Sequence, residues 1–138
     1  MSLKQKFAEL EKFTPLNKSQ KVQEIADKET SFGYDNKHDI LQDLYDEIDE
    51  LKEELDLHDK NGNNLQRIFE ELGDVIFVLG NLANRYGIDS EKALEYSIKE
   101  FERRMIYCEE HYKGDDLSKA PKEEMVKLWK EAKLHKIK

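Results

Sequence analysis

Apolar residues recur at helical spacing along most of the chain. Ile40, Leu44, Ile48, Leu51 and Leu55 follow one another by three or four positions, which places them on one face of a helix. No segment alternates apolar and polar residues as a half-buried strand would. Valine and threonine, which favour strands, are scarce. The pattern therefore predicts an all-α protein.

Turn signals divide this pattern into five to six helices, the architecture of a helical bundle. A short first helix around Phe7 and Leu10 is expected to end at Thr14, because the residue before a proline is pushed out of the helical conformation. The turn rich in asparagine and glycine at residues 59–64 separates two longer helices. The remaining helices are predicted at about residues 17–30, 38–55, 65–86 and 90–112, and from Pro121 onward.

The fourth predicted helix is apolar on nearly every side. Leu72, Val75, Ile76, Val78 and Leu79 lie within its central turns. Such a helix belongs at the centre of a bundle or in a subunit interface. Because a chain of this length struggles to cover it alone, we expect dimerisation through this helix, as a homodimer or a higher homo-oligomer.

Length and composition indicate a single domain over residues 1–138 in a soluble, cytoplasmic protein. Hydrophobic residues make up 38% of the 138 residues and charged residues 39%, which is enough for one core under a highly charged surface. No stretch is long enough to span a membrane, so no membrane partner is expected. The single Cys108 excludes an internal disulfide, and the scattered histidines exclude a zinc finger. The lysines from Lys122 to Lys138 indicate a solvated face on the last helix.

Negative charge is concentrated in one segment. Residues 39–59 contain ten Asp or Glu against one lysine, a local charge of −9 compared with −8 for the whole chain. A surface that binds a nucleic-acid polymer would instead cluster Lys and Arg, so that class of partner is disfavoured. The segment suits cations, or anions that are bridged by cations.

Two carboxylate pairs carry the candidate chemistry. Glu47 and Glu50 are three positions apart, and Glu71 and Asp74 repeat this spacing on the next helix, so each pair leaves one helix face. If the two helices pack antiparallel, the four carboxylates converge and repel one another unless cations are bound. Mg²⁺ or Mn²⁺ is the expected guest, because both ions prefer oxygen ligands.

Asp74 also allows a purely structural interpretation. It lies between Leu72 and Val75 in an apolar context, and an unpaired buried carboxylate is costly. An ion pair would compensate it as well as a metal would. The candidate partners are Arg67, Arg85, Arg103 and Arg104.

Several motifs in sequence order resemble the MazG family of nucleoside triphosphate pyrophosphohydrolases. The resemblance covers about residues 16–133 and leaves residues 1–15 as an N-terminal extension. The motifs are Glu47-Ile48-Asp49-Glu50, Glu71-Leu72-Gly73-Asp74, Gly87-Ile88-Asp89 and Phe101-Glu102-Arg103-Arg104.

The resemblance implies an all-α, dimerising, Mg²⁺-dependent enzyme that cleaves a nucleoside triphosphate to the monophosphate and pyrophosphate. It implies that metal ions are held by the carboxylates of Glu47, Glu50, Glu71 and Asp74, and that substrate is contacted by Arg67, Asn81 and Arg104. The residue that deprotonates the attacking water stays open between a glutamate of the cluster, Glu54 and Asp46.

The chain departs from the family pattern at four positions. Asn36 stands where a tryptophan is usual, and Asp43 stands where a lysine is common. Ile98 and Glu100 replace an asparagine and a lysine. Two alternatives therefore stay open beside the leading function. One is a related all-α pyrophosphohydrolase for dUTP, dCTP or phosphoribosyl-ATP, and the other is a catalytically weak metal-binding dimerisation module.

Overall fold

A computed structural model describes residues 1–135 of the chain. The described part contains α-helices and one short 3-10 turn, and no strand, which confirms the all-α prediction. Lys136 and Lys138, predicted to extend the solvated lysine face, lie outside the described residues. The helices are α1 (Leu3–Ala8), α2 (Pro15–Glu29), α3 (Lys37–Asn61), α4 (Leu65–Arg85), α5 (Ser90–His111) and α6 (Lys122–Leu134), and the 3-10 turn is Leu117–Lys119.

Helix boundaries follow capping residues in the sequence. Pro15 occupies the first turn of α2, where its missing N–H costs nothing. The Asn36 side chain accepts hydrogen bonds from the backbone N–H groups of His38 and Asp39 at the start of α3. Asn36 therefore acts as an N-cap at the position where the family has a tryptophan.

Helix α3 is longer than predicted. We expected it to end near Leu55, and it continues to Asn61. Residues 56–61 contain no proline or glycine to stop the helix, so it ends only at Gly62. That glycine adopts the left-handed conformation, with φ of 62°, and donates its N–H to the carbonyl of His58 at 2.8 Å.

The chain forms two compact units, the first over Met1–Glu91. In this unit α4 packs against both α3 and α2. Only residues 62–64 connect α3 to α4, so the two helices run antiparallel as predicted.

Carboxamide side chains fasten α2 to α4. Gln23 donates to the carbonyl of Phe77 at 2.8 Å and accepts from Asn81 at 3.0 Å. Asn84 donates to the carbonyl of Gln20 at 2.7 Å. Gly80 lies at the contact, where an added Cβ would meet the Gln23 side chain at 3.1 Å. The close approach of the two helices therefore depends on a glycine and a set of paired amides.

The second unit begins at Lys92 and contains most of α5 together with α6. Cys108, Leu128 and Ala132 are buried in it. The rings of Phe101 and Trp129 lie 5.5 Å apart. The prediction of a single domain over 1–138 stays a prediction.

Helix α4 is not covered all round in the single chain. Only Val78 and Gly80 of this helix are buried. A stripe on one of its faces is between 44% and 72% exposed, formed by Leu65, Phe69, Leu72, Ile76 and Leu79. The alternative that α4 is enclosed within one chain is therefore wrong. No helix in residues 1–135 is long and apolar enough to cross a membrane.

Candidate metal centre

Three carboxylates from α3 and α4 converge. One side-chain oxygen from each of Glu47, Glu71 and Asp74 lies within 4.8 Å of the other two. The i, i+3 spacing of Glu71 and Asp74 places both on one face of α4, and the antiparallel packing brings Glu47 of α3 opposite them. The predicted convergence of the two acidic motifs is therefore present in the fold for three of the four residues.

Two oxygens of this group lack hydrogen-bond partners. Oε2 of Glu47 and Oε2 of Glu71 are both buried, and neither contacts a donor among residues 1–135. A buried carboxylate oxygen without a donor loses its hydration and gains nothing in return. One such oxygen on each helix leaves the group without the donors or positive charge that would compensate its burial.

Glu50, the fourth predicted ligand, is not part of this group but acts on it through its charge. Burial and the negative charge of Glu50 raise the pKa of Glu47 to about 7. Burial and the same charge also raise the pKa of Glu71. The metal-free cluster therefore holds protons more readily than isolated carboxyl groups do, and a divalent cation would have to displace them.

Asp74 is more exposed than predicted. Its apolar neighbours suggested a poorly solvated position, yet its side chain lies on the exposed part of α4. The reason is that its neighbours Leu72 and Ile76 are themselves about half exposed. The costly burial invoked for Asp74 falls instead on Glu47 and Glu71.

Three of the arginines considered as partners of Asp74 have other partners. Arg67 pairs with Glu54 at 3.5 Å. Arg103 and Arg104 pair with Glu100 at 3.1 and 3.4 Å. These contacts weaken the structural ion-pair interpretation of Asp74.

The donor set fits a hard divalent cation. All the converging atoms are carboxylate oxygens, which Mg²⁺ and Mn²⁺ prefer. Two ligands of one Mg²⁺ lie at most about 4.2 Å apart, since each Mg–O distance is about 2.1 Å. The three carboxylate oxygens lie within 4.8 Å of one another, so they would draw together around a bound ion.

A polar network closes the α3–α4 end of the site. The Glu54 carboxylate, whose side chain is 13% exposed, accepts from Asn64 at 2.7 Å and from Arg67 at 3.5 Å. His58 contacts the Asn64 side chain at 3.1 Å. The sequence predicted a turn here but not these contacts, because Glu54 and Asn64 lie ten positions apart on different elements. Helical spacing predicts contacts only within one helix.

A second contact borders the cluster on α3. The Tyr34 hydroxyl donates to the carboxylate of Asp43, one turn before Glu47. Burial, reinforced by this hydrogen bond, raises the pKa of Tyr34 to about 12, so the phenol stays protonated at neutral pH. Asp43, which replaces a lysine of the family pattern, therefore has a neutral hydrogen-bond donor as its partner.

A cavity of about 660 Å³ adjoins Tyr34 and Asn81 in the first unit. It lies between α2 and the C-terminal part of α4, and Arg85 and Lys21 also line it. Asn81, predicted to contact substrate, borders this cavity while its amide donates to Gln23. Arg67, the second predicted contact, is 72% exposed on its side chain.

The sequence model of the MazG nucleotide pyrophosphohydrolase domain matches residues 35–108. The protein named nucleoside triphosphate pyrophosphohydrolase/pyrophosphatase MazG from Thermotoga maritima is 28% identical over 120 residues, which are 86% of this chain and 44% of the relative. The Escherichia coli K12 protein named nucleoside triphosphate pyrophosphohydrolase is 28% identical over 124 residues, covering 88% of this chain and 46% of the relative.

A shorter and stronger similarity is to an uncharacterised protein, YabN of Bacillus subtilis. The two are 45% identical over 65 residues, which are 46% of this chain and 13% of YabN. The chain thus spans less than half the length of these curated relatives.

Proposed function

Because the chain belongs to the MazG family of nucleotide pyrophosphohydrolases, we propose that it hydrolyses a nucleoside triphosphate to the monophosphate and pyrophosphate with Mg²⁺ or Mn²⁺. The observation that carries the proposal is the pair of buried, unpartnered oxygens on Glu47 and Glu71. They belong to a three-carboxylate group that a cation would complete. The expected cytoplasmic location stays a prediction.

In this proposal Glu47, Glu71 and Asp74 hold the metal, and Glu50 completes the set beside Glu47 and Glu71. When bound, the ion would neutralise phosphate charge and lower the pKa of a water molecule. The carboxylates must give up their protons for this role, and the raised pKa of Glu47 makes that step dependent on pH.

The candidates for the general base are narrowed by hydrogen bonding. Glu54 already accepts from Asn64 and Arg67, so we assign it a positioning role, in which it orients Arg67 and holds the α3–α4 connection. Proton acceptance falls to a carboxylate of the cluster or to Asp46, which accepts from Gln42 alone, at 2.9 Å, among residues 1–135. Arg67, Asn81 and Arg104 are the proposed substrate contacts, and the cavity beside Asn81 would take the nucleoside.

The test is pyrophosphate release from a panel of ribo- and deoxyribonucleoside triphosphates, with Mg²⁺ and with a chelator. We expect release that the chelator abolishes and that Glu71→Gln reduces at least about a hundredfold. Glu70→Gln is the matched control, because Glu70 is an adjacent, exposed glutamate outside the cluster. Release that survives in the Glu71→Gln variant would refute the assigned site.

The panel also separates the alternatives. A preference for dUTP, dCTP or phosphoribosyl-ATP, which is added to the panel, would identify the related pyrophosphohydrolase. Metal binding by calorimetry without release from any substrate would favour the catalytically weak binding module. The departures at Asp43, Ile98 and Glu100 motivate this second outcome.

We further propose that two copies of the chain associate through the exposed stripe on α4 that runs from Leu65 to Leu79. Five large apolar side chains on one helix face make a patch that a second copy would remove from water. Light scattering should report a homodimer or larger assembly, and Leu72→Glu should shift it toward the monomer. Ile106→Glu, at an exposed apolar position on α5, is the control.

A further inference from the structure

Arg103 and Arg104 are neighbours on α5, but their guanidinium groups are used differently. Arg103 donates to the backbone carbonyls of Ala132 and His135 at 3.1 and 3.0 Å. It also donates through Nε and Nη2 to the Glu100 carboxylate, at 3.3 and 3.1 Å. Arg103 is therefore committed to holding the end of α6 and the Glu100 side chain.

Arg104 makes fewer hydrogen bonds than Arg103. Its ion pair with Glu100 is a single contact of 3.4 Å from Nη2. Its Nε is buried and has no hydrogen-bond partner in residues 1–135. The guanidinium lies over the Trp129 ring, 5.4 Å from the ring centroid. A positively charged side chain that is partly exposed and only weakly paired is suited to receive an anion.

We propose that Glu100 is a specificity-determining residue that weakens the binding of phosphate groups to Arg104. The proposal rests on the proposed function, in which Arg104 contacts the substrate phosphates. The Glu100 oxygen that faces Arg104 is Oε2, which also accepts from Arg103, so Arg103 holds this negative charge beside Arg104. An incoming phosphate must share or displace this carboxylate.

The size of the effect depends on the charge of the ligand. Repulsion between two anions grows with their charges and is stronger where water is partly excluded. The side chains of Glu100 and Arg104 are only 19% and 22% exposed. Glu100 therefore disfavours pyrophosphate and triphosphate more than monophosphate, which lowers substrate affinity and also favours release of the pyrophosphate product.

The experiment compares Glu100→Gln with Glu95→Gln. Both variants remove one negative charge from α5, but Glu95 pairs with the exposed Lys99 at 3.0 Å. Glu100→Gln should lower the dissociation constant for inorganic pyrophosphate in Mg²⁺ buffer about three- to tenfold. It should lower the KM for the triphosphate by a similar factor with little change in kcat. Glu95→Gln should change neither.

An unchanged or raised pyrophosphate dissociation constant in a folded Glu100→Gln protein would overturn the proposal, because Glu100 would then only position Arg104. If Glu100→Gln does not fold, Glu100→Asp is used instead, because the shorter side chain keeps a negative charge near Arg103 and moves it away from Arg104. Glu100→Asp should also lower the dissociation constant for pyrophosphate, but by a smaller factor. Pyrophosphate binding is measured without turnover, so a wild-type protein that cleaves no triphosphate refutes the proposed function separately.

Discussion

Two groups of partly buried carboxylates differ in how their charge is compensated. In the second unit, Glu100 is paired with Arg103 and Arg104. In the first unit, Glu47 and Glu71 face other carboxylates and each has a buried oxygen without a donor. The charge of Glu100 is therefore compensated within its unit, whereas the group around Glu47 and Glu71 lacks positive charge.

The difference indicates where stability and where function should reside. When one member of a compensated pair is replaced, the other member is left partly buried without its partner. Such a substitution lowers the stability of the fold. A carboxylate in a repelling cluster gains stability when it is neutralised, so its substitution removes a binding site without harming the fold. Substitutions in the two groups should therefore have opposite effects.

The largest effect is expected from Asp74→Asn. The change removes one ligand and one charge from the proposed metal site, so Mg²⁺-dependent pyrophosphate release should fall at least about a hundredfold. The metal-free protein should be as stable as the wild type or more stable in urea unfolding, because cluster repulsion decreases. Unfolding of Asp74→Asn in chelator would instead identify a structural ion pair.

A second effect is the pH dependence of the metal-free protein, which is expected to be comparable to or smaller than the effect of Arg103→Ala described below. Because the pKa of Glu47 is raised to about 7 in the folded state, the folded protein holds a proton that the unfolded chain releases near pH 4.3. The free energy of unfolding should fall as pH rises from about 4.5 to about 7, by on the order of 1 kcal/mol after allowance for solvent screening.

Urea unfolding in chelator at pH 5 and pH 7.5 measures this difference. Glu47→Gln should flatten it, and Mg²⁺ added at pH 7.5 should raise the stability of the wild type. A stability that rises over this interval in the absence of metal would contradict the assignment of the raised pKa.

Arg103→Ala tests the compensated group. It removes the hydrogen bonds to the carbonyls of Ala132 and His135 and leaves Glu100 with a weaker partner. We expect a loss of about 1–3 kcal/mol in the free energy of unfolding, measured by urea denaturation. Metal affinity, measured by calorimetry on the folded variant, should not change. Lys99→Ala, an exposed cation on the same helix, is the control.

The smallest effect should come from an exposed ion pair. Lys52 and Asp56 lie 3.6 Å apart on α3, with both side chains well exposed. Lys52→Gln should change the free energy of unfolding by no more than about 0.5 kcal/mol. A loss of unfolding free energy as large as that of Arg103→Ala would contradict this expectation. It would mean that the charges along α3 affect stability beyond their individual ion pairs.

Local sequence rules were sufficient to predict the helices and the spacing of the acidic motifs. Helical spacing and capping residues depend on near neighbours in the chain, so α3 and α4 could be recognised and their antiparallel packing followed from a short turn. The same local rules placed Glu71 and Asp74 on one face of α4, and their convergence with Glu47 was expected on the condition that the two helices pack antiparallel. The end of α3 was misplaced because no residue before Gly62 breaks the helix.

The packing of the helices against one another determines which of these carboxylates are buried and most of the partners that compensate them. Asp74 is exposed, whereas one side-chain oxygen of Glu47 and one of Glu71 are buried. Glu54 and Glu100 each have partners within their own unit. Apart from the Glu100 pairs, which join residues three and four positions apart, these properties depend on contacts between different elements and on the solvent that packing excludes. Spacing along one helix identified the carboxylates, but it could not rank them by burial or by the charges that face them.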